Sequence, residues 1–294
     1  MLEARDVTYT VGGTVGGIAN GATLLRSVDL TVQPGRVIVL IGPNGAGKST
    51  LLRLFSGELK PTQGAILLDG RPLASFSPAE LARRRAVVPQ SSVLTFPFTV
   101  LEVTMLGVTV PGFDIPDAGA RKIALDALDS LDMAGLKDRS YIHLSGGERQ
   151  RVHIARALCQ LAMPTYRGGE TSCFLLDEPT ASLDLAHQTQ VLATLRRQAE
   201  AGHAVLAVLH DLNLAAALAD DIVLLARTQV LAAGSARDVL RNDLLSDAYG
   251  CPVHTNQTPQ GDRPFVLPPA VFATQATRTT RSLPNGSGPH VLAN

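Results

Sequence analysis

The run Gly42-Pro43-Asn44-Gly45-Ala46-Gly47-Lys48-Ser49-Thr50 gathers glycines, a lysine and two hydroxyls between the apolar stretch Arg36–Ile41 and the helix-like stretch Leu51–Phe55. Its spacing is G-x-x-x-x-G-K-[ST], which turns a backbone tightly and aims successive N–H groups at one anion. A helix that opens at Lys48 adds its positive dipole end. Lys48 supplies a mobile point charge for terminal phosphates, and the Ser49 hydroxyl is a ligand for Mg²⁺. The plainer alternative is a glycine turn beside a solvated lysine. The strand-loop-helix setting favours a nucleoside triphosphate site.

Other residues fit the same chemistry. Cys173-Phe174-Leu175-Leu176 is an apolar run that ends in Asp177-Glu178. Two carboxylates closing a buried strand are costly unless a cation or ligand meets them. Asp177 is placed to hold Mg²⁺ through its water shell, and Glu178 to take a proton from an attacking water. His210 follows the apolar run Ala204–Leu209 and becomes a candidate γ-phosphate ligand once the others are present. Gln90 follows Ala86-Val87-Val88-Pro89, and a strand-end amide there can contact water or phosphate. Ser145-Gly146-Gly147 precedes a long helical pattern, so exposed N–H groups and a capping serine form a second anion site. Tyr9 is the aromatic residue next to the loop in sequence, able to stack on a base or to lie half-buried in a strand.

These residues need elements to hold them. Short strands are expected at Ala4–Thr10 and Leu25–Val32, with the glycine-rich 12–22 segment as a hairpin tip. Ala65–Gly70 reads as a strand, and Pro78–Arg85 as a helix capped by Ser77. From 91 to 160 helical spacing replaces strand spacing: helices are expected over Val100–Leu106, over Ala120–Ala134 with Ile123, Ala127, Leu128 and Leu131 on one face, and from Gly146 through Leu158. Beyond Asp184 come a helix to Glu200, the strand before His210, a helix Leu212–Leu218 capped by Asp211, a hairpin Ile222–Ala226 with Gln229–Ala233, and a single terminal helix Ala236–Tyr249.

Composition narrows the field. The 294 residues carry 26 basic and 26 acidic side chains, so no global field points to nucleic acid or acidic lipid. Cys159, Cys173 and Cys251 are odd in number and widely spaced, which argues against a disulfide framework or zinc site. The opening residues lack the pattern of a signal peptide. The longest apolar stretch, Leu212–Ala226, is broken by Asp220-Asp221, so no membrane span is expected.

With these motifs in order, residues 1 to about 268 resemble the ATP-binding subunits of ABC transporters. The resemblance rests on the phosphate loop, Gln90, Leu144-Ser145-Gly146-Gly147-Glu148, Asp177-Glu178, Ser182-Leu183-Asp184 and His210. It implies an α/β P-loop NTPase (RecA-like) cassette with an N-terminal antiparallel β subdomain and an inserted α-helical subdomain. The core would span 1–90 and 161–256, the helical signature subdomain 91–160 and a short extension 257–268. Residues 269–294, rich in Thr, Pro, Gly and Ser, read as a disordered tail.

The same resemblance implies ATP and Mg²⁺ as ligands, with Gly42 to Thr50 on the phosphates and Tyr9 on adenine. Ser49, Gln90 and Asp177 would serve the metal, Glu178 would be the general base and His210 the γ-phosphate switch. Ser145, Gly146, Gly147 and Asp184 would meet ATP across a head-to-tail homodimer. The partners implied are an integral permease dimer and, indirectly, a periplasmic substrate-binding protein, with the subunit peripheral on the cytoplasmic face of the inner membrane. Leu68–Leu73, Ser77–Val87, Phe96-Pro97-Phe98-Thr99-Val100 and Asp184-Leu185-Ala186-His187-Gln188 narrow the resemblance to the hemin-importer ATPases. Val208–Ala216 fits the wider group that imports heme, ferric siderophores and cobalamin. A non-transport ABC ATPase acting on DNA or ribosomes is disfavoured by the single cassette and the lack of heptads or a basic patch. A catalytically dead cassette is disfavoured by Lys48, Glu178 and His210.

Overall fold

The structure, a computed structural model, describes residues 1–12, 14–15, 18–19, 21–90, 96–109, 115–162, 170–258 and 266. The expected tail 269–294 lies outside the described residues, as do 91–95 of the segment after Gln90.

Alternating burial drives the first sheet. Strand β1 (Leu2–Val11) buries Leu2, Ala4 and Val7 and pairs antiparallel with β4 (Ala22–Val32). Between them, β2 (Thr14–Val15) and β3 (Ile18–Ala19) form a small antiparallel pair at the expected hairpin. Strand β5 (Val37–Ile41) is buried on both faces and runs into helix α1 (Lys48–Phe55). Strands β6 (Gln63–Leu68) and β7 (Arg71–Pro72) complete the antiparallel sheet, in the order β4-β1-β6-β7.

Helix α2 (Pro78–Arg84) opens on a capping box in which Ser77 and Glu80 satisfy each other's backbone N–H groups. Strand β8 (Arg85–Val88) follows, and then a helical region: α3 (Val100–Met105), α4 (Asp117–Asp129) and α5 (Gly146–Leu161). Helix α4 starts at Asp117, directly after Pro116, and stops short of the expected Ala134. Asp132 sits at φ 55°, a left-handed turn that a continuing helix forbids, and Leu131 is buried from that turn instead.

The second half is parallel: β9 (Cys173–Asp177), α6 (Leu185–Glu200), β10 (Ala204–Val208) and α7 (Leu212–Leu218), closed by the hairpin β11 (Asp221–Ala226) and β12 (Gln229–Gly234). The expected single terminal helix is instead two, α8 (Ala236–Val239) and α9 (Asn242–Tyr249). Arg241 between them is extended, and its guanidinium is held by Asp243 in the first turn of α9. Asn242 turns its side chain to Thr255. Polar residues that bond locally at a helix start explain the break.

The larger sheet has the order β12-β11-β5-β10-β9-β8 and is parallel except for β12. Its two faces feed two apolar cores. One joins the sheet to α3, α4, α5, α6 and α7; the other joins it to α1 and the antiparallel sheet. The consequence for chemistry is positional. The carboxyl ends of β5, β10, β9 and β8 lie side by side, and the phosphate loop, His210, Asp177-Glu178 and Gln90 follow those four strands.

Candidate nucleotide site

The loop after β5 depends on glycine at specific points. A Cβ on Gly42, at φ 142°, would lie 2.0 Å from the Leu225 carbonyl oxygen, and one on Gly47, at φ 99°, would lie 2.6 Å from that of Leu24. Both side-chain-free positions let the loop sit against β11 and β4. Gly45, at φ 78°, has open space where a Cβ would stand, so its left-handed backbone rather than crowding favours glycine there.

Lys48 is buried, and its Nζ donates to the carbonyl oxygens of Gly42 at 2.8 Å and Pro43 at 2.9 Å. Burial lowers its pKa, while the nearby Glu178 and Asp177 carboxylates push it back up. The Ser49 hydroxyl donates to Asp177 Oδ1 at 3.1 Å, joining the loop to the end of β9. Burial raises the Asp177 pKa, and the Ser49 hydrogen bond opposes that rise. A buried carboxylate with one neutral donor and a neighbouring hydroxyl is a donor set that fits a hydrated Mg²⁺. Among the described residues no cluster of three or more His, Cys, Asp and Glu side chains could hold a metal by itself.

Glu178 stands at φ 51°, a left-handed conformation unusual for a residue with a side chain. Its N–H reaches the Val208 carbonyl at 3.2 Å, and its Oε1 lies 2.6 Å from His210 Nε2. Asn44, Gly45, Gly47, Lys48, Ser49, Thr50, Gln90, Glu178 and His210 line one cleft of about 280 Å³ together with Leu24. Tyr9 is not among these lining residues. It is half-buried on β1 opposite Leu25.

The Ser145 group lies elsewhere. Ser145 caps α5 through the Glu148 N–H, while the Glu148 carboxylate takes the Ser145 N–H at 2.6 Å. A Cβ on Gly147 would meet the Ser182 carbonyl oxygen at 2.7 Å, so the turn packs directly on the loop before α6. Ser145, Gly146, Gly147 and Asp184 line a second cleft of about 400 Å³, open to the surface. Asp184 caps α6: its Oδ1 accepts from the His187 N–H at 3.0 Å and faces His187 Nδ1 at 2.8 Å. The structure thus brings Gly42–Thr50, Gln90, Asp177, Glu178 and His210 together and leaves Ser145–Gly147 and Asp184 in a separate group.

Sequence reasoning missed four contributors. Leu24 enters the phosphate cleft from β4, His187 and Arg151 line the signature cleft, and the Tyr249 hydroxyl on α9 meets the Gly42 backbone. His187 lay within a motif already singled out and Arg151 within the helix expected from Gly146; Tyr249 carried no local signal.

Comparison with known proteins shows the family to which this fold belongs. A sequence model of the ABC transporter family matches residues 25–181. The hemin import ATP-binding protein HmuV of Myxococcus xanthus (strain DK1622) is 48% identical over 267 residues, 91% of this chain and 96% of that protein. The protein of the same name from Jannaschia sp. (strain CCS1) is 45% identical over 269 residues, 91% and 94% of the two chains. An ATP-binding cassette solved as a dimer in a post-hydrolysis state with ADP and Pi aligns with TM-score 0.69 at 26% identity, over 81% of this chain and 99% of that one. A putative metal-chelate type ABC transporter in an inward-facing conformation aligns with TM-score 0.67 at 28% identity, over 85% and 89%. With the expected cassette fold and its nucleotide motifs in place, this chain belongs to the ABC transporter family, as one of its nucleotide-binding ATPases.

Proposed function

We propose that this subunit hydrolyses MgATP to drive hemin uptake through a partner permease. The observation that carries the ATPase chemistry is the single cleft holding the phosphate loop, Gln90, Glu178 and His210. The loop N–H groups and Lys48 bind the β- and γ-phosphates, for which Lys48 leaves the Gly42 and Pro43 carbonyls. Ser49, Gln90 and Asp177 would hold Mg²⁺, which when bound offsets phosphate charge. Water forms a bond to the γ-phosphorus, the bond to the β–γ bridging oxygen breaks, and Glu178 accepts the water proton. His210 fixes the Glu178 carboxylate through the 2.6 Å contact and faces the γ-phosphate. Tyr9 stacks on adenine from β1.

Ser145, Gly146, Gly147 and Asp184 meet the nucleotide of a second copy in a head-to-tail homodimer. The exposed placement of this group, apart from the phosphate cleft, supports that reading. We also propose the division into a core of 1–90 and 161–256, a helical signature subdomain of 91–160, an extension 257–268 and a separate tail 269–294. Phe96, 67% exposed and 6.0 Å from the Phe98 ring, offers an apolar contact for the permease. Among the described residues no helix is long and apolar enough to cross a membrane, which supports peripheral attachment on the cytoplasmic face. A periplasmic binding protein would act only through the permease.

Hemin is assigned from relatives 41–48% identical over about 91% of the chain that are named for hemin import. A metal-chelate cargo is the second reading, favoured by the structural likeness to the metal-chelate type transporter. Uptake by the subunit reconstituted with its permease, compared for hemin, a ferric siderophore and cobalamin, separates them. ATP-dependent uptake of hemin is expected; uptake of another cargo without hemin would overturn the assignment while leaving the ATPase in place.

A further inference from the structure

The signature turn rests on a buried polar pair that the nucleotide chemistry does not use. Tyr141 begins the 3₁₀ turn Tyr141–His143 just before Leu144-Ser145, and His153 lies two turns into α5. They are 2% and 3% exposed, and the Tyr141 hydroxyl is 2.7 Å from His153 Nε2. Their rings meet edge to face, with centroids 5.6 Å apart. His153 Nδ1 is buried with no hydrogen-bond partner among the described residues. Whichever tautomer is present, one ring nitrogen is therefore unsatisfied, a cost that two apolar side chains in this place would avoid. Burial pulls the His153 pKa down to about 4, so the ring is neutral at ordinary pH and the pair does not act by charge. What a single neutral hydrogen bond in an apolar core does supply is one defined distance.

That distance spans two functional segments. The Tyr141 N–H donates to the Phe98 carbonyl at 2.8 Å, Thr99 and Ser140 bridge antiparallel, and the Val100 N–H donates to the Arg139 carbonyl at 2.9 Å. Tyr141 is thus stitched by its backbone to the exposed aromatic segment and by its side chain to the signature helix. Arg149, also on α5, adds a 2.8 Å hydrogen bond to the Ile142 carbonyl.

We propose that Tyr141 and His153 are positioning residues: their hydrogen bond locks the signature turn to the Phe96–Thr99 segment, so that displacement of that segment moves Ser145–Gly147 as one body. This rests on the reading of Ser145–Gly147 as the half-site for a second copy's nucleotide. A contiguous contact is no proof of coupling, so the test must separate coupling from packing.

The test uses the full chain. Tyr141→Phe removes one oxygen, His153→Leu removes the acceptor, His153→Gln keeps a hydrogen-bonding amide, and Tyr141→Phe/His153→Leu removes both polar groups. Amide hydrogen exchange is measured without nucleotide. ATP-driven dimerisation is measured in a Glu178→Gln background. Each single apolar variant should speed exchange at residues 142–148 and weaken dimerisation, both about 5-fold, the effect of one net hydrogen bond. Exchange at 42–50 and ATP binding by the isolated subunit should be unchanged, and His153→Gln should restore dimerisation to within about twofold of the parent. The double variant should regain thermal stability but not dimerisation. Unchanged exchange at 142–148 in both single variants, or dimerisation returning together with stability in the double variant, overturns the proposal. A Glu178→Gln parent that fails to dimerise with ATP would instead overturn the half-site reading, and exchange at 142–148 would then decide the Tyr141–His153 contact by itself.

Discussion

Glu178 differs from the other carboxylates at this sheet edge in what holds it. Asp177 is buried and tied to Ser49, whereas the Glu178 carboxylate is partly open and, among the described residues, contacts His210. That division matches a metal-side acid and a water-side base. Glu178→Gln preserves shape and hydrogen bonding but cannot accept a proton. Titration with a fluorescent ATP analogue should show binding close to the parent, while phosphate release falls by roughly 10² to 10⁴. Release near the parent rate would remove Glu178 from the role of base. At this scale much of the site was legible beforehand, because the loop residues and Asp177-Glu178 signal through short spacings and strand ends. The Asp184–His187 pair was not read, although both residues lay in a quoted motif, because the capping-box pattern carries Glu or Gln at the third helical position and here that residue is histidine. Tyr249 meets Gly42 from more than 200 residues away in sequence, and only folding reveals such a contact.

Helix starts organise the elements. Ser77, Thr99 and Ser145 each form a capping box with the glutamate three residues on, and Asp211 caps α7 by accepting from the N–H groups of Asn213 and Leu214. The last cap immediately follows His210, so the local hydrogen bonds that start α7 also fix the direction of the chain at the histidine that lines the phosphate cleft. Asp211→Ala should cost about 1 kcal/mol, seen as a fall in melting temperature of about 2–4 °C. A melting temperature within one degree of the parent, about the noise of such a scan, would show that the cap contributes nothing net. Caps were readable because Ser, Thr and Asp compete for backbone N–H groups over three residues. The C-terminal end of α4 and the break between α8 and α9 were not, since neither Asp132 nor Arg241 is a glycine or proline that would announce a change of direction.

In the whole molecule the two clefts share no lining residue. A head-to-tail pair would join the phosphate cleft of each copy to the signature cleft of the other, which makes defects separable between copies. Lys48→Ala spoils the phosphate half and Ser145→Arg the signature half. In a mixed dimer both defects fall in one composite site and the other site is intact. Equal mixing should therefore restore about a quarter of parent ATPase activity, from half the dimers with one of two sites each. Each variant alone should be nearly inactive. Full activity in either single variant, or none in the mixture, would contradict shared sites. The cassette architecture was legible from motif order, but the adjacency of β5, β10, β9 and β8 was not, because parallel pairing leaves no local trace of which strands are neighbours.

The backbone of Glu178 places function and durability in opposition. Its left-handed φ of 51° costs about 1 kcal/mol for a side-chain-bearing residue and nothing for glycine. Glu178→Gly would thus relieve strain at the residue proposed as the base. On that role, a library enriched only for heat resistance would admit the replacement and yield proteins that no longer turn over ATP. The proposed proton transfer gives this strained turn a reason to carry a carboxylate.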